Sequence, residues 1–180
     1  MVELSKLPKG WFSPGDIERY RYIYEDLVPE GGFTAEVGCY LGRSICSVAD
    51  IIIRKNITVF CVDRWMPWER DETEDQLGEF IRNCQEYGLF DGHNVHLQLA
   101  SSVSAASVFD CGSLHFVFID ADHEYESVKA DISAWMPKIR EDGWIGGHDF
   151  PDFIGVARAV HELINPVETA FNSTIWLNKL

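Results

Sequence analysis

The sequence predicts an α/β fold: a doubly wound, mainly parallel seven-stranded sheet with a C-terminal antiparallel hairpin. Three observations predict it. Short β-branched or aromatic runs alternate with helix-like segments, the pattern of a parallel sheet covered on both faces. The first such run ends in a glycine-punctuated turn that leads into a helix, where a ligand approaches the backbone. The run Leu114–Ile119 is almost entirely apolar, as expected of a strand at the sheet centre.

The elements follow in order. Ser13-Pro14-Gly15-Asp16 opens a helix that runs to about Val28, and Pro29-Glu30-Gly31-Gly32 closes it. Phe33–Val37 reads as the first strand and Ser44–Ile53 as the helix after it. Thr58–Val62 is the second strand, followed by an acidic and aromatic connection and a helix near Glu74–Tyr87. Val95–Leu99 is the third strand, Ser104–Phe109 a short helix and Leu114–Ile119 the fourth strand. Tyr125–Ile139 carries Val128, Ile132, Trp135, Met136 and Ile139 at helical spacing, ended by Asp142-Gly143. Trp144–Gly147 is the fifth strand, Gly155–Ile164 a helix, and Val167–Thr169 pairs with Ser173–Leu177 as the closing hairpin. Residues 1–180 read as one domain, with 1–32 as a helical lead-in.

Composition excludes several classes. No apolar run approaches the ~20 residues of a membrane span, and MVELSKLPKGWF lacks the apolar region of a secretory signal. Cys39, Cys46, Cys61, Cys84 and Cys111 are scattered, without a CxxC pair, which fits a reducing cytoplasm rather than a zinc site. A net charge of −14 argues against a nucleic-acid partner, which needs a basic stripe. The expectation is a cytoplasmic protein that acts on a small molecule; a homo-oligomer is compatible with it. The acidic run Glu69–Asp75 reads as a solvated loop.

The sharpest segment is Ala35-Glu36-Val37-Gly38-Cys39-Tyr40-Leu41-Gly42-Arg43-Ser44. It lacks the dinucleotide fingerprint GxGxxG and has ExGxxxG instead. Glu36 would repel a pyrophosphate but suits a ligand that carries an ammonium and a sulfonium. Together with FIDADHEYESVKADISAW and GGHDF, this segment resembles class I S-adenosylmethionine-dependent methyltransferases, closest to a small bacterial O-methyltransferase-like group. The resemblance runs from about Trp11 to Leu177 and rests on the order and spacing of the motifs. It implies a Rossmann-like fold and S-adenosylmethionine as cofactor. By the family pattern Gly38 and Gly42 make room for the methionine portion, Glu36 and Tyr40 line that pocket, and Ser44 helps hold the carboxylate. Asp63, 27 positions after Glu36, stands where an acidic residue accepts from both ribose hydroxyls. Ser102 corresponds to the serine beside the adenine ring, although Ser101 could serve, or both could cap the next helix.

Asp120-Ala121-Asp122-His123 follows the fourth strand and His148-Asp149 the fifth. Carboxylates and imidazoles at one sheet edge repel or compete unless a divalent cation joins them. Oxygen ligands suit Mg²⁺ or Mn²⁺, and one imidazole shifts the balance towards Mn²⁺ or a heavier metal. Metal-dependent sugar, catechol and caffeoyl-CoA O-methyltransferases, which the chain resembles, hold a metal between these strand ends. That implies Asp120, His148 and Asp149 as ligands, Asp120 also bordering the cofactor, with Asp122 or His123 as general base. The relatives usually have a carboxylate where His148 stands, so the competing reading makes His148 the base with no metal. The acceptor side is expected along Arg64–Gln76, with Trp65, Met66, Pro67 and Trp68 either stacking on a sugar-like or phenolic acceptor or simply covering the sheet edge. Two other functions remain in view: a nicotinamide-dependent oxidoreductase, which fits Asp63 but not the turn, and a non-catalytic cofactor-binding module, which has no use for the second acidic cluster.

Overall fold

In the computed structural model, which describes residues 3–66, 75–92 and 94–180, the strand-like runs form one sheet. The strands are β1 (Phe33–Val37), β2 (Thr58–Asp63), β3 (Val95–Leu99), β4 (Leu114–Ile119), β5 (Ile139–Gly147), β6 (Glu168–Thr169) and β7 (Trp176–Lys179). Their order is β3-β2-β1-β4-β5-β7-β6. The first five are parallel and β7 runs antiparallel to β5 and β6. The sheet therefore reverses its winding between β1 and β4, and a ligand crevice forms outside the strand C-termini at such a switch point.

Register brings those C-termini level. Val37 pairs with Val62 on one side and Ile119 on the other, and Ile119 with Gly147. Alternate residues of β4 face opposite layers. Phe116 and Phe118 pack with Tyr20, Tyr24, Ile45, Ile52 and Phe80, while Val117 and Ile119 pack with Val128, Ile132, Trp135, Val156 and Val160. The first layer holds α1 (Pro14–Tyr22), α2 (Arg43–Ser47), α3 (Ala49–Arg54) and α4 (Gln76–Glu86). The second holds α5 (Ser102–Ala106), α6 (Tyr125–Trp135) and α7 (Ile154–Leu163). No helix among the described residues is long and apolar enough to cross a membrane.

Sequence chemistry explains the helix starts. Ser13 Oγ accepts from Asp16 N at 3.2 Å and Asp16 Oδ2 accepts from Ser13 N at 2.9 Å, a reciprocal cap with Pro14 in the first turn. Asp75 Oδ1 accepts from Gly78 N at 3.0 Å and opens α4, so the expected start at Glu74 falls outside the described residues.

Some boundaries differ from the sequence reading. The helix expected over Ser44–Ile53 breaks at Val48 (φ −117°, ψ 10°). There Ser47 Oγ donates to Ser44 O at 2.6 Å, a side chain competing for a backbone carbonyl. The helix expected to reach Ile139 stops at Trp135, because Pro137 has no N–H to continue it. Ile139 instead begins β5, and Asp142-Gly143 lies within that strand rather than ending a helix. The last strand starts at Trp176, not Ser173, because Ser173 Oγ and Thr174 N donate to Asp16 Oδ1 at 2.8 and 2.9 Å.

Phe118 is wholly buried between Phe12 and Tyr20, with ring centroids 5.8 and 4.7 Å away. Phe118→Ala is expected to lower unfolding free energy by about 3–5 kcal/mol in urea titration. A loss below about 1 kcal/mol would mean that the lead-in helix does not depend on this contact.

Candidate cofactor and metal site

The backbone ladder continues one residue past each central strand. Gly38 N donates to Val62 O (2.8 Å), Asp120 N to Val37 O (2.7 Å) and His148 N to Ile119 O (3.1 Å). Gly38, Asp120 and His148 are thus held by main-chain bonds in a row across the switch point.

The turn after β1 requires its glycines. Gly38 has φ +90°, and a Cβ there would lie 2.0 Å from Asp120 O. The space kept free at Gly38 is therefore filled by the β4 backbone rather than left for a ligand. Gly42 (φ +84°) stands before α2, and a Cβ on it would press on the Phe80 ring at 3.2 Å. Tyr40 also has positive φ, 45°, and is tied down at both ends. Its N–H donates to Asp63 Oδ2 at 2.9 Å, and its carbonyl accepts from Trp65 Nε1 at 2.9 Å. Asp63 takes Cys39 N on the same oxygen (2.8 Å) and Trp65 N on the other (2.8 Å). Three of a carboxylate's roughly four acceptor positions are then in use.

Glu36 does not face this opening. It is 0 % exposed, and its oxygens accept from Tyr20 Oη at 2.6 Å and Ser44 Oγ at 2.5 Å. Burial pushes its pKa up to about 7 against the pull of those two hydroxyls. Ser44 is committed to Glu36 by the same bond. Ser102 Oγ accepts from Trp135 Nε1 at 3.0 Å, and buried Asp131 also bonds it. Asp131 was not singled out in the sequence; burial raises its pKa to about 6.

At the ends of β4 and β5, one oxygen each of Asp120 and Asp149 and a ring nitrogen of His148 lie within 4.8 Å of one another. His148 Nδ1 is 3.1 Å from Asp149 Oδ1 and 3.6 Å from Asp120 Oδ1. On its other edge Nε2 is 3.3 Å from Asp16 Oδ2, and the ring stacks on Phe12 at 4.7 Å. Burial opposes charge on His148, but Asp149, Asp16 and Asp120 together push its pKa up to about 10. Burial raises Asp120 to about 6 despite His148. Burial works against charge on Asp16 and Asp149 as well, but His148, Ser13 and the Thr174 backbone hold Asp16, and His148 and His123 hold Asp149, below the usual carboxylate range.

The two candidate bases part company here. His123 joins the cluster, with Nε2 2.8 Å from Asp149 Oδ2 and its ring stacked on Phe153 at 4.2 Å. Asp122 is turned to the start of α6, where Oδ1 accepts from Glu124 N at 2.9 Å. Burial works against its charge, but this bond and Ser127 hold its carboxyl below the ordinary range, which makes it a weak proton acceptor. Asp16 was missed as a site residue; its sequence signal, a capping aspartate, pointed only to a helix start. Of the expected acceptor segment, Trp65 is buried and Met66 exposed, while Pro67 and Trp68 lie outside the described residues.

A sequence profile described as "Methyltransferase domain" matches residues 35–150. The chain belongs to that family and is a class I S-adenosylmethionine-dependent methyltransferase. No curated protein sequence matches it significantly. Among solved structures it is similar to the O-methyltransferase NovP (TM-score 0.70, 19% identity, 91% of this chain and 79% of that one). It is also similar to CalS11, a TDP-rhamnose 3′-O-methyltransferase of calicheamicin biosynthesis (TM-score 0.67, 14% identity, 93% and 80%). A protein of Clostridium thermocellum provisionally described as an rRNA-methylase aligns over 96% of this chain and 100% of its own (TM-score 0.66, 17% identity).

Glu36 gives a pH test. Its folded pKa, about 7, lies above the ordinary 4.5. The native state holds this proton more tightly than the unfolded chain, so the contribution to stability is full below the ordinary value and lost as pH rises through the folded one. Glu36→Gln is expected to gain on the parent, by about 1 kcal/mol or more, between about pH 4.5 and pH 7 in cofactor-free urea titrations. Parallel pH curves would refute the buried, proton-retaining carboxylate.

Proposed function

We propose that the protein transfers the methyl group of S-adenosylmethionine to a hydroxyl oxygen of a small sugar-like or phenolic molecule, with a divalent cation held by Asp120, His148 and Asp149. The observation that carries this reading is the convergence of those three donors within 4.8 Å beside the cofactor turn. The donor set fits a metal for a second reason. Metal-bound histidines usually give their other ring nitrogen to a carboxylate, and Asp16 Oδ2 lies 3.3 Å from the buried His148 Nε2, which is otherwise unpartnered among the described residues. Mixed oxygen and nitrogen donors suit Mg²⁺ or, better, Mn²⁺. Such an ion would supply Lewis acidity that lowers the pKa of a hydroxyl brought to it.

The protein's own groups do the rest. Asp63 takes the ribose on its open acceptor position. Ser102 and Asp131 stand on the adenine side, and Glu36 braces the turn through Ser44 and Tyr20. His123, oriented by Asp149, takes the acceptor's proton. The hydroxyl oxygen uses a lone pair to bond the methyl carbon as the carbon–sulfur bond breaks, its electrons going to sulfur. The products are a methyl ether, S-adenosylhomocysteine and the proton on His123. In-line displacement rewards a fixed line of oxygen, carbon and sulfur, which rigid strand ends favour. The neighbours named for oxygen methylation support a hydroxyl acceptor. The net charge of −14 speaks against an RNA acceptor despite the neighbour described as an rRNA-methylase.

Turnover of an acceptor panel, read as S-adenosylhomocysteine formed, is expected to vanish in EDTA and return with Mn²⁺ or Mg²⁺, while cofactor affinity stays nearly constant. Asp149→Ala should lose both metal and activity. Asp16→Asn should keep cofactor affinity but weaken metal binding about 10–100-fold in calorimetry. Full activity in EDTA would overturn the metal and leave a histidine acting alone.

A further inference from the structure

Between the N-terminal lead-in and the loop joining β6 to β7 lies a recess of about 440 Å³, a volume that suits a small ring-bearing molecule. It opens on the acidic cluster: His148 and Asp149 line it, together with Asp16 and Asp152. Trp11 and Phe171 line its rim with most of their ring surface exposed. The Trp11 ring lies 5.0 Å from that of Tyr40, so the recess adjoins the cofactor turn.

Carboxylates outnumber the one imidazole here, so the net charge of the lining is negative. Among the described residues that line the recess there is neither lysine nor arginine. Asp16, Asp149 and Asp152 line it, and Asp120 stands behind, 3.6 Å from His148 Nδ1. A divalent cation would offset two of these four negative charges and leave the recess negative. The net charge of −14 adds to the same field, which a concave surface focuses. A phosphate or carboxylate brought in would meet a field that stays net negative, with no lysine or arginine among the described lining residues to reverse it. A neutral ring would lay its apolar face on Trp11 or Phe171, and an amine would find both carboxylates and aromatic faces.

We infer that this recess is the acceptor subsite and that it selects uncharged or amine-bearing ring polyols over phosphorylated or nucleotide-linked ones. The inference rests on the proposed O-methyl transfer and narrows it: the TDP-linked sugar named for one structural neighbour would be a poor acceptor here.

The test is a matched panel of methyl glucoside, methyl glucosaminide, glucose 1-phosphate and a nucleoside-diphosphate hexose, assayed with Mn²⁺ present. The same panel is followed by saturation-transfer NMR on the protein loaded with S-adenosylhomocysteine. The neutral and amino members should show contact and turnover, and the phosphorylated members a kcat/KM lower by about tenfold or more. Asp152→Lys should narrow that gap, and Trp11→Ala should raise KM with little change in kcat. Equal or better use of the phosphorylated members overturns the inference. If no member is turned over, the sugar-like acceptor of the proposed reaction falls instead, and contacts that favour the phosphorylated members would still overturn the charge preference on their own.

Discussion

The site depends on the close approach of two backbones, Gly38 after β1 and Asp120 after β4. Asp120 N bonds Val37 O at 2.7 Å, and any side chain at Gly38 would strike Asp120 O. This contact sets the distance between the turn after β1 and the acidic cluster, because each belongs to one of the two touching segments. It is a consequence of topology. Only where winding reverses do two adjacent strands send their following loops to opposite faces and leave a crevice between them. The main-chain ladder then fixes the origin of each site side chain, so their convergence needs few side-chain bonds of its own.

Electrostatics at this edge is held in balance by partners of different kinds. Glu36 is shielded by hydroxyls and retains its proton towards neutrality. Asp16 accepts from Ser13, Ser173 and Thr174, lies 3.3 Å from His148 Nε2, and stays ionised. Asp120 and Asp149 have mainly His148 and His123 between them. Buried charges persist only when paired or coordinated. A proton on His148 is one way to meet that demand and a metal is another, and Asp16 serves both by fixing the ring.

Much of this was legible in the sequence. The strands were readable because a parallel strand buried on both faces must be apolar through its length, as in Leu114–Ile119. The ends of β1, β4 and β5 were readable because glycine, aspartate and histidine interrupt such runs. Helix boundaries were less legible where local competition decided them, as at Ser47 and Pro137. The side on which a residue faces was not legible at all. Glu36 looked like a ligand contact and is sealed behind Tyr20; Asp122 looked like a base and is bonded to Glu124 N just ahead of α6. Asp16 looked like a cap and also holds His148, because its partners at Ser173 and Thr174 are 157 and 158 positions away. Periodicity reports which face of an element is buried, not which distant polar group will meet it there.

The lead-in helix therefore has a role that its position ahead of the first strand hides. Asp16 and Tyr20 are four residues apart in α1, so they project from one face. Asp16 reaches His148 at the end of β5, and Tyr20 reaches Glu36 in β1. One helix thus grips the cluster with one residue and braces the cofactor turn with the other, on either side of the switch point. Trp11 and Phe12, just before it, extend the same surface to Tyr40 and His148. A shift of α1 would move a brace of the cofactor turn and a support of the cluster together, which couples the two halves of the site through a rigid element rather than through the ligands. The packing of Tyr20 on Phe118, at 4.7 Å, seats that element on the sheet.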